Sequence, residues 1–350
     1  MLQGSRDDLS QIEALGPSFW RERLAPYTDP RIGRGVLDLA TSVVPYLALT
    51  AATYALLQVS YLFALAFAVP AAGFLLRTFI VFHDCTHGSF FPSRTANKWV
   101  GVVCGLIVFT PFHIWRHEHA VHHATAGDLD HRGMGDVDTL TVAEYFGRSW
   151  LGRLGYRMMR NPFVMLGLGP LWAMMLEPRL VPGWARRHFW RKILATDIAL
   201  VVLVGALCAL LGWRAVLLAQ LPPAMLAGAA GIWLFYVQHQ FEDVYWQRHD
   251  SWSYPASALR GSSYLKLPKV LQFFTGNIGL HHVHHLSPRI PNYNLQRAHD
   301  EIPVFHDVPT LNMWDGVRTL RLKLYDEQRN RLVSFSAAKS AAQGEAGSTG

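Results

Sequence analysis

Four long apolar runs, arranged in two pairs, dominate the hydrophobic pattern of the chain. Leu39–Leu57 is followed after three residues by Tyr61–Phe82, and Ile193–Leu211 is followed after three residues by Ala215–Val237. A helix of about twenty apolar residues crosses the hydrocarbon core of a bilayer. The pattern therefore predicts an all-α, multi-pass membrane protein with four transmembrane helices in two hairpins. Arg77, the one charge in the second run, is close enough to its end for the side chain to reach the interface.

Two further apolar segments are less clear. Gly101–Phe112 spans twelve residues, which is short for a crossing, and we expect an interfacial or re-entrant helix there. Phe163–Leu176 is interrupted by glycines and by Pro170, and its pattern does not decide between a span and a surface helix.

The two tight hairpins place both termini and the long middle segment on the same side of the membrane. Basic residues concentrate in that middle segment, whereas the short turns contain Arg214 as their single basic residue. Because cytoplasmic loops are rich in Lys and Arg, we predict that this side is cytoplasmic and carries a helical cap. The predicted divisions are a cytoplasmic N-terminal segment (1–36), a membrane domain (37–310) and a C-terminal segment with a disordered tail (311–350).

Composition supports the membrane interpretation and excludes other classes. Hydrophobic residues make up 51 % of the chain and charged residues 16 %. The net charge of +7 is spread between the apolar runs, and without a basic stripe we expect no nucleic-acid partner. The three cysteines form no CxxC pair, so the sequence predicts neither a disulfide framework nor a thiolate metal site.

Histidines concentrate just beyond the ends of the predicted spans. Residues three or four apart share one face of a helix, and three groups have that spacing, with one more histidine at the exit of the last span. The candidate ligands are His83, His87, His119, His122, His123, His239, His281, His284 and His285. Neutral imidazole is the commonest nitrogen ligand, and nine exceed the need of one tetrahedral zinc. The pattern favours a dinuclear redox centre, although ligand softness alone allows iron, copper or zinc.

The other histidines are interpreted as solvated or hydrogen-bonded side chains. Those that lie off the shared helix faces or stand alone are His113, His117, His131, His188, His249, His282, His299 and His306. Metal-bound imidazoles usually donate their second N–H to a carboxylate or carbonyl. Candidate acceptors are Asp84, Glu118, Asp128, Asp130, Glu242 and Asp243, and an ordinary surface charge is an equal interpretation for each.

The stretches that carry these histidines resemble the membrane fatty acid desaturases, in wording most like the bacterial acyl-lipid branch. The matching stretches are HDCTHGSFF (83–91), WRHEHAVHHATAGDLD (115–130), FYVQHQFED (235–243) and GNIGLHHVHHLSPRIPNYNL (276–295). The resemblance covers roughly residues 35 to 310, and it identifies 37–310 as a membrane desaturase domain. Three histidine boxes in this order and spacing are specific to the superfamily and less specific to the reaction.

The resemblance implies an oxygen-dependent di-iron enzyme that inserts a double bond into an acyl chain of a membrane lipid or thioester. The nine candidate histidines would hold two iron ions, and O2 would be the co-substrate. The chain contains no cytochrome-like His-Pro-Gly-Gly motif, so electrons would come from a separate carrier such as a ferredoxin. The expected location is the bacterial inner membrane, with the active site and both termini cytoplasmic.

Two alternatives remain at this point. A membrane di-iron hydroxylase of alkanes, sterols or carotenoids shares the first hydrogen abstraction, so ligand spacing does not separate it from a desaturase. A histidine-rich metal transporter belongs to a different class. Transporters place ionisable ligands within their spans, whereas the histidine groups here lie at or beyond the span ends.

Overall fold

The computed structural model describes residues 12, 15–180 and 183–340, and these residues are mainly α-helical. The first helices are α1 (Pro17–Leu24), α2 (Ile32–Leu56), α3 (Tyr61–Ala66), α4 (Ala68–His87), α5 (Arg94–Ile107) and α6 (Phe112–Thr125). The middle segment contains α7 (Val142–Gly147), α8 (Trp150–Met159), α9 (Pro162–Gly167), the single turn α10 (Gly169–Leu171) and a π-helical turn (Trp172–Leu176). The later helices are α11 (Gly183–Leu211), α12 (Trp213–His239), α13 (Tyr254–Arg260), α14 (Lys269–Phe274), α15 (His281–Leu286), α16 (Asn292–Glu301) and α17 (Met313–Thr319).

Short turns and strands connect distant parts of the chain. 3-10 turns occur at Ala25–Tyr27, Glu177–Arg179, His249–Ser251 and Pro303–His306. The strands are β1 (Leu140–Thr141), β2 (Tyr264–Leu265), β3 (Thr310–Leu311), β4 (Leu324–Asp326) and β5 (Arg331–Val333). One sheet has the order β1-β4-β5, with β1 parallel and β5 antiparallel to β4, and β2 pairs with β3 in parallel. The C-terminal strands are thereby joined to the middle segment.

Within the described ranges, four helical stretches are long and apolar enough to cross a membrane: Ile32–Leu56, Tyr61–His87, Arg187–Leu211 and Trp213–His239. They confirm the four predicted spans and the all-α class. Each hairpin closes through a short turn, and in the second one Gly212 adopts a φ of +83°, a conformation that glycine reaches at little cost. The spans extend beyond the predicted limits, so that the second ends at His87 and the fourth at His239.

Helix α4 is central to the packing, because α2, α5 and α12 all contact it. Ala71, Ala72 and Leu75 are buried on its surface. Small residues allow helix backbones to approach closely, which is the usual basis of helix association in membranes. Helix α4 is therefore held on several sides, and its C-terminal end carries the first two candidate ligands.

The ion pair between Asp38 on α2 and Arg77 on α4 is buried between the spans. Arg77 Nη2 lies 2.6 Å from Asp38 Oδ1, and Nη1 donates to the Phe273 carbonyl. The guanidinium also lies 4.1 Å from the centroid of the Phe273 ring. The prediction that the Arg77 side chain reaches the interface was wrong. Asp38 lies just before the apolar run, so the sequence pattern placed it outside the first span. Helix α2 begins at Ile32 and therefore contains Asp38, which pairs with Arg77.

Helices α5 and α6 meet at an angle of 103°. The bend lies at the end of the Gly101–Phe112 segment and returns the chain towards the end of α4. Ring contacts between His83 and His119 show that the first two histidine groups lie together. A straight crossing would separate them by the thickness of the membrane, so the geometry agrees with a re-entrant segment. Phe163–Leu176 forms α9, α10 and the π-helical turn.

Candidate metal centre

Four helices bring their histidines to one place. Helix α4 contributes the pair at its C-terminal turn, α6 contributes three from its second half, α12 ends on one, and the short helix α15 contributes three. Two adjacent clusters result, and in each the ligand nitrogens lie within 4.8 Å of one another. The five-histidine cluster consists of His83, His87, His119, His123 and His284. The four-histidine cluster consists of His122, His239, His281 and His285.

The structure thus brings together all nine histidines that the sequence singles out. The two clusters touch, since the rings of His123 and His285 stack with centroids 4.2 Å apart. Eight of the nine residues are buried and His87 is half-buried. Buried polar nitrogens need partners. The contacts of the ring nitrogens therefore test whether a metal ion fits between the rings.

In the five-histidine cluster the Nε2 atoms face one another. His119 Nε2 lies 3.0 Å from His83 Nε2 and 3.1 Å from His123 Nε2. His284 Nε2 lies 3.0 Å from His123 Nε2, and the buried Nε2 of His87 has no hydrogen-bond partner. The Nε2 atom of His119 has at most one proton, so it cannot donate a hydrogen bond to both His83 and His123. Hydrogen bonding alone therefore leaves nitrogen lone pairs that face each other.

In the four-histidine cluster His239 and His281 place their Nε2 atoms 2.9 Å apart, and His122 and His285 place theirs 3.2 Å apart. Metal–imidazole bonds of about 2.1 Å separate neighbouring ligand nitrogens by about 3 Å in an octahedral arrangement. The observed separations match that spacing. A cation between the rings would accept all the facing lone pairs at once.

Three rings are oriented through their other nitrogen. His83 Nδ1 donates to Asp84 Oδ1 at 3.0 Å, His122 Nδ1 donates to Asp136, and His239 Nδ1 donates to the Gly261 carbonyl at 3.2 Å. Because carboxylates and carbonyls only accept, the proton is on Nδ1 and Nε2 carries a free lone pair. This is the tautomer that a metal ligand requires.

The electrostatics also favour the neutral ring. Burial lowers the pKa of His281, His284 and His285 well below its ordinary value, and the neighbouring imidazoles lower it further. Neutral imidazole is the form that binds metal. The donor set, the spacing and the protonation state therefore all fit two metal ions.

Asp84 is fixed by a second set of contacts. Its Oδ2 accepts hydrogen bonds from the backbone N–H of Asn292 at 2.7 Å and from Nδ2 of Asn292 at 3.0 Å. Helix α16 thus sets the orientation of His83 through this carboxylate. Asp84 is one of the candidate acceptors, whereas the candidates Asp128, Asp130 and Glu242 hydrogen-bond elsewhere.

Asp136 was not predicted, although its side chain contacts His122 directly. Gly135 explains how the loop reaches α6. It has a φ of +73°, and a Cβ atom there would lie 2.9 Å from the Glu118 carbonyl and 3.2 Å from the Cβ of His122. In the sequence, the two glycines of Gly133-Met134-Gly135 immediately before Asp136 are the feature that could have indicated this close approach of the loop to α6.

An aromatic wall covers one side of the five-histidine cluster. Trp115 stacks on His119 with ring centroids 4.3 Å apart, and its ring also contacts Phe79, Phe82 and His83. Phe82 is fully buried. This side of the centre is therefore apolar.

Five of the remaining histidines are hydrogen-bonded within the fold, in agreement with the interpretation that they are solvated or hydrogen-bonded side chains. His282 Nε2 lies 3.2 Å from His299 Nδ1, and His306 donates to the His299 carbonyl. His131 and His249 both contact Asp128. Two of these contacts join distant segments, His282 with His299 and His249 with Asp128.

Together these features define a helical membrane protein with four candidate spans and two adjacent histidine clusters that can bind metal. Sequence comparison then gives the family. The profile of the Fatty acid desaturase family matches residues 18–313. The chain belongs to the fatty acid desaturase family and is an oxidoreductase, which confirms the resemblance seen in its histidine boxes.

Relatives within the family cover most of the chain. A fatty acid desaturase of Bacillus subtilis is 43 % identical over 318 residues, which are 91 % of this chain and 90 % of the relative. An sn-1 oleoyl-lipid 12-desaturase of Anabaena variabilis is 28 % identical over 77 % of this chain and 75 % of its own length. An sn-1 acyl-lipid omega-3 desaturase (ferredoxin) of Synechocystis is 28 % identical over 64 % of this chain and 63 % of its own length.

Proposed function

We propose that the protein is an O2-dependent di-iron desaturase that inserts a double bond into an acyl chain of a membrane lipid or thioester. The observation that carries this proposal is the pair of touching, all-histidine clusters at the ends of the span helices. The names of the relatives, which act on acyl lipids, support the substrate class. The metal-transporter alternative loses its basis, because the chain belongs to an oxidoreductase family.

The five-histidine cluster would hold one iron and the four-histidine cluster the other. When bound, iron supplies the oxygen activation that aliphatic C–H cleavage needs and that side-chain acids and bases do not provide. The chain itself fixes the imidazole tautomers through Asp84, Asp136 and the Gly261 carbonyl. The wall formed by Trp115, Phe79 and Phe82 excludes water from one side of the centre and offers an apolar surface to the acyl chain.

The remaining elements of the proposal concern topology and partners. The metal centre lies at the ends of α4 and α12, at the rim of the predicted spans, where an acyl chain in the bilayer can reach it. The positive-inside rule supports a cytoplasmic position for this rim and for both termini in the bacterial inner membrane. We propose that a separate carrier of the ferredoxin type supplies electrons, as the name of the Synechocystis relative indicates for that protein. Residues 37–310 would form the desaturase domain, between the N-terminal segment 1–36 and the C-terminal segment 311–350.

Expression in a host that lacks desaturases tests the proposal. We expect new monounsaturated fatty acids in the membrane lipids, measured as methyl esters by mass spectrometry, and about two iron ions per purified chain. Hydroxylated chains in place of alkenes would overturn desaturation. A chain with other metals, or with one ion, would overturn the di-iron centre.

Replacing Asp136 by asparagine is expected to weaken iron binding about 10–100-fold, the usual effect of losing an outer partner of a metal-bound imidazole. The amide keeps the size of the side chain but removes the charge that orients His122. Iron retained per chain after dialysis against a series of chelator concentrations measures the effect.

Asp138→Asn is the matched control, since Asp138 lies on the same loop but is exposed. It should retain iron like the unaltered protein. Equal retention in both variants would show that Asp136 does not orient a metal ligand.

A further inference from the structure

A third group of potential ligands lies at the surface, separate from the two histidine clusters. Asp128 follows helix α6, His131 comes three residues later, and His249 begins the 3-10 turn His249–Ser251. Nδ1 of His131 and Nδ1 of His249 each lie 2.8 Å from Oδ2 of Asp128. The two rings face each other with centroids 4.4 Å apart. One carboxylate oxygen and two imidazole nitrogens thus converge from two distant segments.

The carboxylate of this group is held rigidly. Asp128 is buried, and its Oδ1 accepts the backbone N–H of Asp130 at 2.9 Å. The backbone on either side is paired with Gln247, which donates to the Gly127 carbonyl and accepts from the N–H of Leu129, both at 2.9 Å. Oδ2 is therefore presented at a fixed position, while the two histidine side chains are exposed.

The neighbouring charges leave Asp128 available. Arg248 is the cation next to His249 in the sequence, and it pairs with Asp130 at 2.7 Å and Glu327 at 2.7 Å. Asp130 also accepts the backbone N–H of His249 at 2.9 Å. Because Arg248 is engaged by two other carboxylates, the charge of Asp128 faces the two imidazoles.

We propose that Asp128, His131 and His249 form a binding site for one divalent transition-metal ion of the Zn2+ class. Two imidazoles and a carboxylate are a common donor set for such ions, and water completes the coordination. Mg2+ and Ca2+ prefer oxygen ligands and do not fit this set. The competing explanation is a hydrogen-bonded cluster in which the two imidazoles bind the carboxylate without any ion.

The position of the site indicates what the ion does. The site joins two segments. One is the loop that follows α6, the helix that carries His122 and His123, and the other follows α12, the helix that ends at His239. A bound ion would clamp these two segments together at the surface, beyond the ends of the ligand-bearing helices. Binding to the folded state alone stabilises it by mass action, so the ion acts as a structural clamp independent of the redox centre.

Co2+ is a suitable probe, because its visible absorption reports coordination. The full chain, without affinity tag, is purified in detergent, its metal content is measured, and exchangeable ions are removed with a mild chelator. We expect one Co2+ to bind per chain without loss of the resident metal, Zn2+ to displace it, and Mg2+ to leave it in place. Asp128→Asn and His249→Ala should weaken Co2+ binding at least tenfold and remove the stabilisation by Zn2+ against heat.

His188→Ala is the matched control, because His188 is an exposed histidine outside this group, and it should bind Co2+ like the unaltered chain. Unchanged resident metal content in Asp128→Asn and His249→Ala establishes that these variants are folded. Failure of the unaltered chain to bind Co2+ would overturn the site. Equal binding in the unaltered chain, Asp128→Asn and His249→Ala would overturn it as well.

Discussion

Replacing His284 by alanine is expected to lower the yield of unsaturated product by more than about 100-fold, since even the outer partner of a metal ligand contributes about 10–100-fold. The His284 ring lies against all four other members of the five-histidine cluster. Its Nε2 lies 3.0 Å from that of His123, and its ring centroid lies 4.5 Å from that of His83 and 4.9 Å from that of His87. Fatty acid methyl esters from cells that express each variant at equal level measure the effect.

The control is His113→Ala on helix α6, since His113 is half-buried and outside both clusters. It should retain most of the product. A His284→Ala variant that keeps its product would remove this residue from the proposed ligand set. A variant that loses product but retains iron would show that His284 acts on the substrate and not on the metal.

Replacing Asp38 by leucine is expected to lower the free energy of unfolding by about 3–5 kcal/mol, the usual cost of breaking a buried ion pair. The guanidinium of Arg77 would remain between α2 and α4 without its counter-ion. The remaining contacts of Arg77, with the Phe273 carbonyl and ring, do not compensate a full charge. Unfolding in mixed detergent micelles, followed by circular dichroism, measures the loss.

The double variant Asp38→Leu/Arg77→Met separates the pair from its individual charges. Removing both charges is often neutral or stabilising, so we expect the double variant to recover most of the stability lost in Asp38→Leu. If the double variant is less stable than Asp38→Leu, the contacts of Arg77 with Phe273 outweigh the cost of leaving its charge unpaired.

The sequence predicts best those features that depend on neighbours along the chain. Span length follows from local hydropathy, and the spacing of His119, His122 and His123 follows from the turn of one helix. Both predictions required no knowledge of how the helices pack. The extension of the second span to His87 was missed, because polar residues end the apolar run while helix α4 continues.

The features that were missed depend on contacts between distant segments. The sequence gives nine candidate histidines but does not divide them into five and four, because that division is set by the packing of α15 and α12 against α4 and α6. The contact of Asp136 with His122 depends on the loop at Gly135. The Asp128 group joins residues about 120 positions apart, and no local pattern indicates such a pairing.

The pairing of β1 with β4 has a consequence for the order of assembly during synthesis. Leu140 and Thr141 pair with Leu324 and Tyr325, so an early strand remains without its partner until nearly the whole polypeptide has left the ribosome. The membrane helices can insert before that moment, whereas the part of the molecule that surrounds β1 waits for the last strands. Nascent chains stalled before Leu324 would therefore be inserted in the bilayer but still open over this region.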